Sequence, residues 1–214
     1  MDQSLFTQIN QHWTHPALDH FMAAISSWDL FWPLAVIAGL VALIFGGFHG
    51  RAALVCVGLV IGLTDALVVD TMKDIVQRPR PYQVLDGVRI LDLQKAKPRI
   101  KALAEPVKLE ISEPSILPVA GNSFPSGHAA NNFALATALA IFFRRGWLFF
   151  IPATLVAYSR VYVGSHYPSD ILVASILGVG CALLALALLE AAWRELAPRW
   201  IPRIASHHPS LLES

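Results

Sequence analysis

Long apolar runs make up most of the chain, and short polar connections separate them. Five runs approach or reach the length that crosses a bilayer as a helix. They cover residues 30–48, 52–72, 129–143, 146–162 and 171–189. Asp65 and Asp70 interrupt the second run, and Arg160 lies near the end of the fourth. The pattern predicts an all-α fold, a polytopic membrane helix bundle.

The first 28 residues mix apolar and polar positions in a different way. Their larger apolar side chains fit one face of a helix, which favours a segment lying in the membrane interface. These side chains are Phe6, Ile9, Trp13, Leu18, Phe21, Met22 and Ile25. We therefore predict an interfacial or partly inserted helix over residues 1–28, which gives the bundle five to six spans.

One sizeable extramembrane piece, residues 73–127, separates the second and third runs. Residues 107–112 alternate strictly between apolar and polar, as a half-buried strand does, and residues 88–93 alternate less cleanly. The pattern predicts a small β-hairpin within an insert at 82–122, with a solvated loop as the alternative. Residues 1–205 then form a single membrane domain, and 206–214 form a tail.

Basic residues in the short connections set the orientation of the bundle. Arg51, Arg144 and Arg145 fall in such connections, and Arg194, Arg199 and Arg203 follow the last run. Lys and Arg collect on the cytoplasmic side of membrane proteins. With five spans these places share one side, so the insert faces outward. We expect a multi-pass protein of the inner (plasma) membrane.

Composition supports the membrane assignment. Hydrophobic residues make up 55% of the 214 residues and charged residues only 14%, against about 25% in soluble domains. The net charge of +1 does not point to a nucleic-acid partner, and we expect membrane lipids as partners instead. Cys56 and Cys181 lie inside apolar runs and are interpreted as packing residues.

Three polar blocks lie at the ends of predicted spans that share the outer side. The first runs from Lys73 to Arg80-Pro81, and the second is Pro125-Ser126-Gly127-His128. The third places His166 and Asp170 after Ser159-Arg160. Counting the spans brings the three blocks to one face of the membrane, so we predict a single site.

The residue types in these blocks fit phosphate chemistry. Lys73, Arg80 and Arg160 are cations that together favour an anion, and guanidinium groups match phosphate oxygens. Ser126-Gly127 opens a helix, whose N–H groups bind oxyanions. Of the two histidines, one can attack phosphorus while the other protonates the leaving oxygen. Asp170, four residues after His166, is expected to orient the imidazole through its far ring nitrogen.

The three blocks together resemble the type 2 phosphatidic acid phosphatase superfamily. The shared pattern is Lys-x6-Arg-Pro, Pro-Ser-Gly-His and Ser-Arg-x5-His-x3-Asp, complete and in order over residues 73–170. The resemblance implies that His166 is the nucleophile, His128 the general acid and Asp170 the orienting residue. It also implies that Lys73, Arg80, Ser126, Gly127 and Arg160 bind phosphate without a metal or another cofactor.

The substrate class follows from the same resemblance. The compact length of the chain and its outward-facing site most resemble those of bacterial undecaprenyl diphosphate phosphatases. This resemblance predicts a polyprenyl diphosphate substrate. Phosphatidylglycerophosphate, phosphatidic acid and lipid A phosphatases are alternatives, as is a lipid phosphotransferase. A transporter that uses intramembrane charges is disfavoured because the charged motif residues gather at one end of the spans.

Overall fold

The fold is a helical bundle with a small two-stranded sheet at one end. The structure is a computed structural model that describes residues 1–113 and 121–212, so residues 114–120 of the predicted insert and the end of the tail lie outside the described residues. Among the described residues, three stretches are long and apolar enough to cross a membrane. They are Trp28–Phe45, Gly47–Val84 and Pro168–Trp200. The predicted membrane helix bundle is confirmed.

The N-terminal region forms two helices where one was predicted. α1 covers Asp2–Thr7 and continues as a π-helical turn over Gln8–His12, and α2 covers Pro16–Ser26. The predicted apolar face is divided between core and surface: Phe6, Ile9 and Met22 are buried, whereas Trp13 and Phe21 are exposed. The first helical stretch ends at His12, and the second begins at Pro16 with His15 as its N-cap.

The first two predicted spans are a helical pair. α3 covers Trp28–Phe45 and packs against α4, Gly47–Leu63. α4 continues through a π-helical segment, Thr64–Val69, into α5, Asp70–Val76. Within the described chain, α3 buries none of its own residues, as expected for a helix that lipid surrounds.

The remaining predicted spans form the centre of the bundle. α7 covers Gly127–Phe142, and α8 covers Phe150–Tyr162 after a short 3₁₀ turn at Gly146–Phe149. At 16 and 13 residues, both are shorter than the roughly 20 residues that cross a bilayer. They pack against α9, Pro168–Trp200, which extends well beyond the predicted end at residue 189. Glu190–Arg194 and Glu195–Arg199 pairs stabilise this extension, so the charges end the apolar run without ending the helix.

Small residues allow the central helices to approach closely. α7 buries five alanines, and a Cβ on Gly178 of α9 would lie 2.2 Å from the carbonyl oxygen of Ala130. Backbones that come this close need small side chains at the crossing. The close crossing fixes the N-terminal end of α7 beside the N-terminal end of α9, where the second and third polar blocks lie.

The predicted hairpin is present in the insert. After α6, Pro81–Val84, strand β1 (Arg89–Asp92) pairs antiparallel with β2 (Lys108–Ile111), and a 3₁₀ turn at Arg99–Ala104 connects them. The predicted half-burial of the second strand is wrong, because all four β2 residues are exposed. β1 is the packed strand: Gly164, at φ +82°, would bring a Cβ within 2.6 Å of the Arg89 carbonyl oxygen.

A short helix and a packed tail complete the chain. α10 covers Pro202–His207, and the residues after it return to the bundle. The indole of Trp193 donates to the backbone oxygen of His208 at 2.9 Å, and the imidazole of His208 stacks on Phe48 at 4.0 Å. The tail therefore packs on α4 and α9 at the end of the bundle opposite the polar blocks.

Candidate active site

The structure brings the three predicted polar blocks together at one end of the bundle. The first block follows α5, the second begins α7, and the third joins α8 to α9. Arg80 and Arg160 both lie close enough to act electrostatically on His128 and on His166, and His128 acts on His166. In the described residues the three blocks lie together at one end of the bundle, and their place at one face of the membrane stays a prediction.

His166 lies buried in the short loop between α8 and α9. Its Nδ1 atom lies 2.6 Å from the backbone oxygen of Ser123. A carbonyl oxygen only accepts hydrogen bonds, so Nδ1 carries the proton and Nε2 has the free lone pair. The loop itself is held because the N–H groups of Ser165 and His166 both donate to the oxygen of Arg160. The imidazole thus has a fixed orientation and a defined tautomer.

The surroundings of His166 favour its neutral form. Burial lowers the pKa of its imidazole well below the usual value of 6.5, and the nearby cations of Arg160 and Arg80 lower it further. A neutral imidazole with its Nε2 lone pair free is the form that can act as a nucleophile.

Asp170 is placed differently from the expectation. Its Oδ2 atom lies 3.9 Å from Nδ1 of His166, too far for a hydrogen bond. Instead its oxygens accept from the Ser123 hydroxyl at 2.5 Å, the Tyr167 N–H at 2.9 Å and the Arg78 guanidinium at 2.6 Å. Asp170 is the third residue of α9, and this capping position turns its carboxylate toward the Tyr167 N–H. The contact to the imidazole is made by Ser123, and Asp170 holds Ser123.

His128 lies on the first turn of α7, among the cations. Lys73, Arg80 and Arg160 all act on it, together with the carboxylate of Asp65. Asp65 also accepts a hydrogen bond from Asn131 at 3.1 Å, which ties the π-helical segment to α7. His128 therefore stands where an acid or base could reach an oxygen that the cations bind.

The predicted phosphate-binding residues surround the same point. A Cβ on Gly127 would lie 3.8 Å from the Nζ atom of Lys73, whose ammonium pairs with Asp70 at 3.3 Å. Arg80 donates from Nε to Asn122 at 3.1 Å, and Arg160 donates to the Ser26 hydroxyl. The first N–H groups of α7 have no partners within their own helix, as at every helix start.

Two buried donors at this point stand out. Ser126 Oγ and Arg160 Nε are both inaccessible to solvent and find no hydrogen-bond partner among the described residues. Buried polar atoms are nearly always satisfied in folded proteins, so each unsatisfied atom indicates strain, an ordered water molecule or a ligand. An anion with several acceptor oxygens would satisfy both atoms.

Several contacting residues were missed by the sequence analysis. Arg78 lies inside the first block, Asn122 and Ser123 precede the second, and Asp2 and Ser26 come from the N-terminal helices. Arg78 is a polar residue at an unspecified position of the first motif, and Ser123 lies close before the second, which was the available signal. Asp2 and Ser26 gave none, because their contacts depend on how residues 1–28 pack across the bundle.

A polar cavity of about 410 Å³ adjoins the site. Lys73 and Asn122 lie in the cavity wall. They connect the cavity to the cations, because Lys73 is one of them and Asn122 accepts a hydrogen bond from Arg80. The rest of the wall consists of Asp74, Gln77, Gln83 and Gly121. Amide and carboxylate side chains can form hydrogen bonds with hydroxyl groups.

Comparison with known proteins finds sequence similarity to phosphatases that act on lipids. The lipid A 4'-phosphatase of Bacteroides thetaiotaomicron is 30% identical over 173 residues, a match that spans 76% of this chain and 66% of the relative. The undecaprenyl-diphosphatase BcrC of Bacillus subtilis is 45% identical over 53 residues, 23% of this chain and 26% of the relative. The chain thus spans just under two thirds of the first relative and a smaller part of the second.

Solved structures show the same fold. The crystal structure of Aquifex aeolicus LpxE superposes with a TM-score of 0.61 and 27% identity, over 87% of this chain and 94% of that chain. The sequence model of the PAP2 superfamily matches residues 53–194, a stretch that contains all three polar blocks. The chain belongs to the PAP2 superfamily.

Proposed function

We propose that this protein is a metal-independent lipid phosphatase that works through a phosphohistidine on His166. The observation that carries the proposal is the His166 imidazole, held by the Ser123 carbonyl with Nε2 unprotonated, beside the cations Arg80 and Arg160. Family membership and the phosphatase relatives support the same reaction.

The first half-reaction transfers the phosphoryl group to the protein. Nε2 of His166 attacks phosphorus, and a P–N bond forms as the P–O bond to the lipid breaks. His128 gives its proton to the departing lipid oxygen. The proton on Nδ1 stays in its hydrogen bond to Ser123, so the positive charge that develops on the ring is stabilised by the carbonyl dipole.

The second half-reaction returns the protein to its initial state. A water molecule gives a proton to His128 and attacks phosphorus, the P–N bond breaks, and inorganic phosphate leaves. If another lipid hydroxyl took the place of water, the same site would be a phosphotransferase. Release of free phosphate in the absence of an acceptor distinguishes the two.

The cations perform the electrostatic work of the reaction. Lys73, Arg80 and Arg160 neutralise the phosphoryl oxygens, and the unpartnered Ser126 Oγ and Arg160 Nε donate to them. These donors are in place before the substrate binds, so the transition state needs no divalent ion. Activity should persist in EDTA, and vanadate should inhibit by occupying the oxyanion site. Loss of activity in EDTA that a divalent ion restores would refute the metal-independent mechanism.

For the substrate, we propose first a phosphorylated glycolipid of the lipid A type. The match to a lipid A 4'-phosphatase extends over 173 residues, and the cavity beside Lys73 presents amide and carboxylate groups that suit sugar hydroxyls. The Asp74 carboxylate in its wall disfavours a second phosphate. A polyprenyl diphosphate is the second candidate, which the short BcrC match favours.

A substrate panel tests the proposal. Purified protein in one detergent would be given lipid A, undecaprenyl diphosphate, phosphatidylglycerophosphate and phosphatidic acid, and phosphate release would be measured. We expect release that depends on His166, with the highest kcat/KM for lipid A. If kcat/KM is highest for undecaprenyl diphosphate, the polyprenyl diphosphate becomes the proposed substrate in place of lipid A. If no lipid in the panel releases phosphate, the phosphatase proposal is overturned.

A further inference from the structure

Arg78 links the N-terminal helix α1 to the catalytic end of α9. One guanidinium nitrogen donates to Asp170 at 2.6 Å and to the Ser169 hydroxyl at 2.8 Å, and the other donates to Asp2 at 2.8 Å. The guanidinium also lies over the ring of Tyr167, 4.0 Å from its centre. Arg78 therefore joins two carboxylates from opposite ends of the chain.

Asp2 is built into the start of α9. Its oxygens accept from the Ser169 N–H at 2.9 Å and from the Ser169 hydroxyl at 2.5 Å. Burial alone would raise the pKa of the Asp2 carboxyl, but hydrogen bonds from Ser169 and Arg78 outweigh it and hold the pKa below its usual value. An ionised carboxylate at a helix N-terminus is also favoured by the helix dipole.

The contacts form an unbroken chain from α1 to His166. Asp2 binds Arg78, Arg78 binds Asp170, Asp170 binds the Ser123 hydroxyl, and the Ser123 carbonyl binds Nδ1 of His166. Arg78 holds Ser123 a second time, because the Ser123 N–H donates to the Arg78 backbone oxygen at 2.9 Å. A change of the Arg78 side chain would remove the support that reaches Ser123 through Asp170, while the backbone contact remains.

We propose that Asp2 and Arg78 are positioning residues that set the orientation of His166 through Asp170 and Ser123. Neither touches the phosphate-binding point, so their effect acts on the geometry of attack and not on substrate affinity. The inference rests on the proposed function, since it assigns a purpose to the orientation of that nucleophile. It also gives α1 a role in organising the active site.

The planar fork of arginine is essential to this arrangement. A guanidinium can bridge two carboxylates while lying flat on an aromatic ring, whereas the ammonium of lysine is a point charge. Arg78→Lys therefore keeps the charge and loses the bridge. Asp2→Asn keeps the size of the side chain and loses its charge, and Asp2→Glu restores the carboxylate.

The test measures kcat, KM and the rate of phosphoenzyme formation for the full-length protein in detergent. Asp29→Asn is the matched control, because Asp29 pairs with Arg99 at 2.6 Å in the insert, away from Asp170. We expect Arg78→Lys and Asp2→Asn to lower kcat and phosphoenzyme formation by roughly 10²-fold, as small displacements of a nucleophile do, with KM within about twofold. Asp2→Glu should recover much of the loss, and Asp29→Asn should match the unmodified protein.

The outcomes separate this inference from the proposed function. Unchanged kcat in both Arg78→Lys and Asp2→Asn would overturn the positioning role while leaving His166 as the nucleophile. A change in KM with kcat unaltered would also overturn it. So would a fall in kcat for Asp29→Asn as large as that for Arg78→Lys, if the two variants have the same thermal stability. Phosphate release that persists in His166→Ala would instead remove the proposed function itself.

Discussion

The Nδ1 atom of His166 donates its hydrogen bond to the backbone carbonyl of Ser123, at 2.6 Å. A carbonyl cannot be protonated at neutral pH, so this partner fixes the tautomer of the imidazole without competing for its proton. Ser123 is in turn held by Asp170 and by the backbone of Arg78. The orientation of the proposed nucleophile therefore depends directly on Ser123 and only indirectly on the carboxylate of Asp170.

The indirect position of Asp170 predicts a moderate effect of Asp170→Asn. The amide has one acceptor oxygen for three donors and no charge for Arg78, so Ser123 should shift. Because the Ser123 carbonyl still selects the tautomer, we expect kcat to fall roughly 10²-fold, short of the ~10⁴-fold loss seen when the carboxylate itself orients a histidine. A loss of ~10⁴-fold or more would indicate direct contact between Asp170 and His166 during turnover.

The low pKa of His166 predicts how the ring titrates. Burial, followed by the Arg160 and Arg80 cations, lowers this pKa, so the ring should remain neutral at pH 6.5, where an ordinary histidine is half protonated. Arg80→Gln removes one cation and should move the pKa upward, toward the usual value. NMR chemical shifts of the ring nitrogens of labelled histidine in micelles, assigned by comparison with His166→Ala, measure the pKa of His166 in the unmodified protein and in Arg80→Gln. Titration of His166 at or above pH 6.5 in the unmodified protein would contradict the electrostatic account.

Asp74 should act on substrate choice. Its carboxylate lies in the wall of the cavity beside Lys73, where it would repel a second phosphate. For an exposed charge we expect an effect of about 1 kcal/mol or less, so Asp74→Asn should raise kcat/KM for a polyprenyl diphosphate up to roughly fivefold relative to lipid A. Lys95→Gln, an exposed charge change in the insert, serves as the control. An unchanged ratio would show that the cavity does not hold the head group.

Site-directed labelling tests the proposed orientation. Lys97 is exposed in the insert, and Arg145 is exposed beyond the far end of α7, about 24 Å along that helix. In a chain whose Cys56 and Cys181 are replaced by alanine, Lys97→Cys should react with an impermeant thiol reagent in intact cells. Arg145→Cys should react only after the cells are opened. The reverse labelling would place the site on the cytoplasmic side.

The apolar pattern predicted most of the fold. Runs of apolar residues located α3, α4, α7 and the start of α9, because a helix within a membrane is apolar whether it faces lipid or packs against its neighbours. The ends of helices were less well predicted. α9 continues past its apolar run because residues such as Glu190 and Arg194 favour helix on propensity and pairing.

The candidate site was predicted in composition but not in its contacts. Counting spans was sufficient to bring Lys73, His128 and His166 together, since helix ends on one side of a membrane must be close in a small bundle. The roles of Ser123 and Arg78 depend on side-chain directions in loops, which spacing does not define. Arg99 shows the same limit: it lies in the insert and pairs with Asp29 at the start of α3, a contact that its position in the sequence does not indicate.

Trapping the phosphoenzyme tests the nucleophile most directly. His128→Ala removes the group that activates water, so a substrate with a good leaving group should phosphorylate the protein and the adduct should accumulate. Phosphohistidine is stable in alkali and labile in acid, and peptide mass spectrometry under alkaline conditions locates it. We predict one phosphoryl group on His166, absent when His166→Ala is combined with His128→Ala. A phosphoryl group on any other residue, or one that persists in the double variant, would contradict the assignment of His166 as the nucleophile.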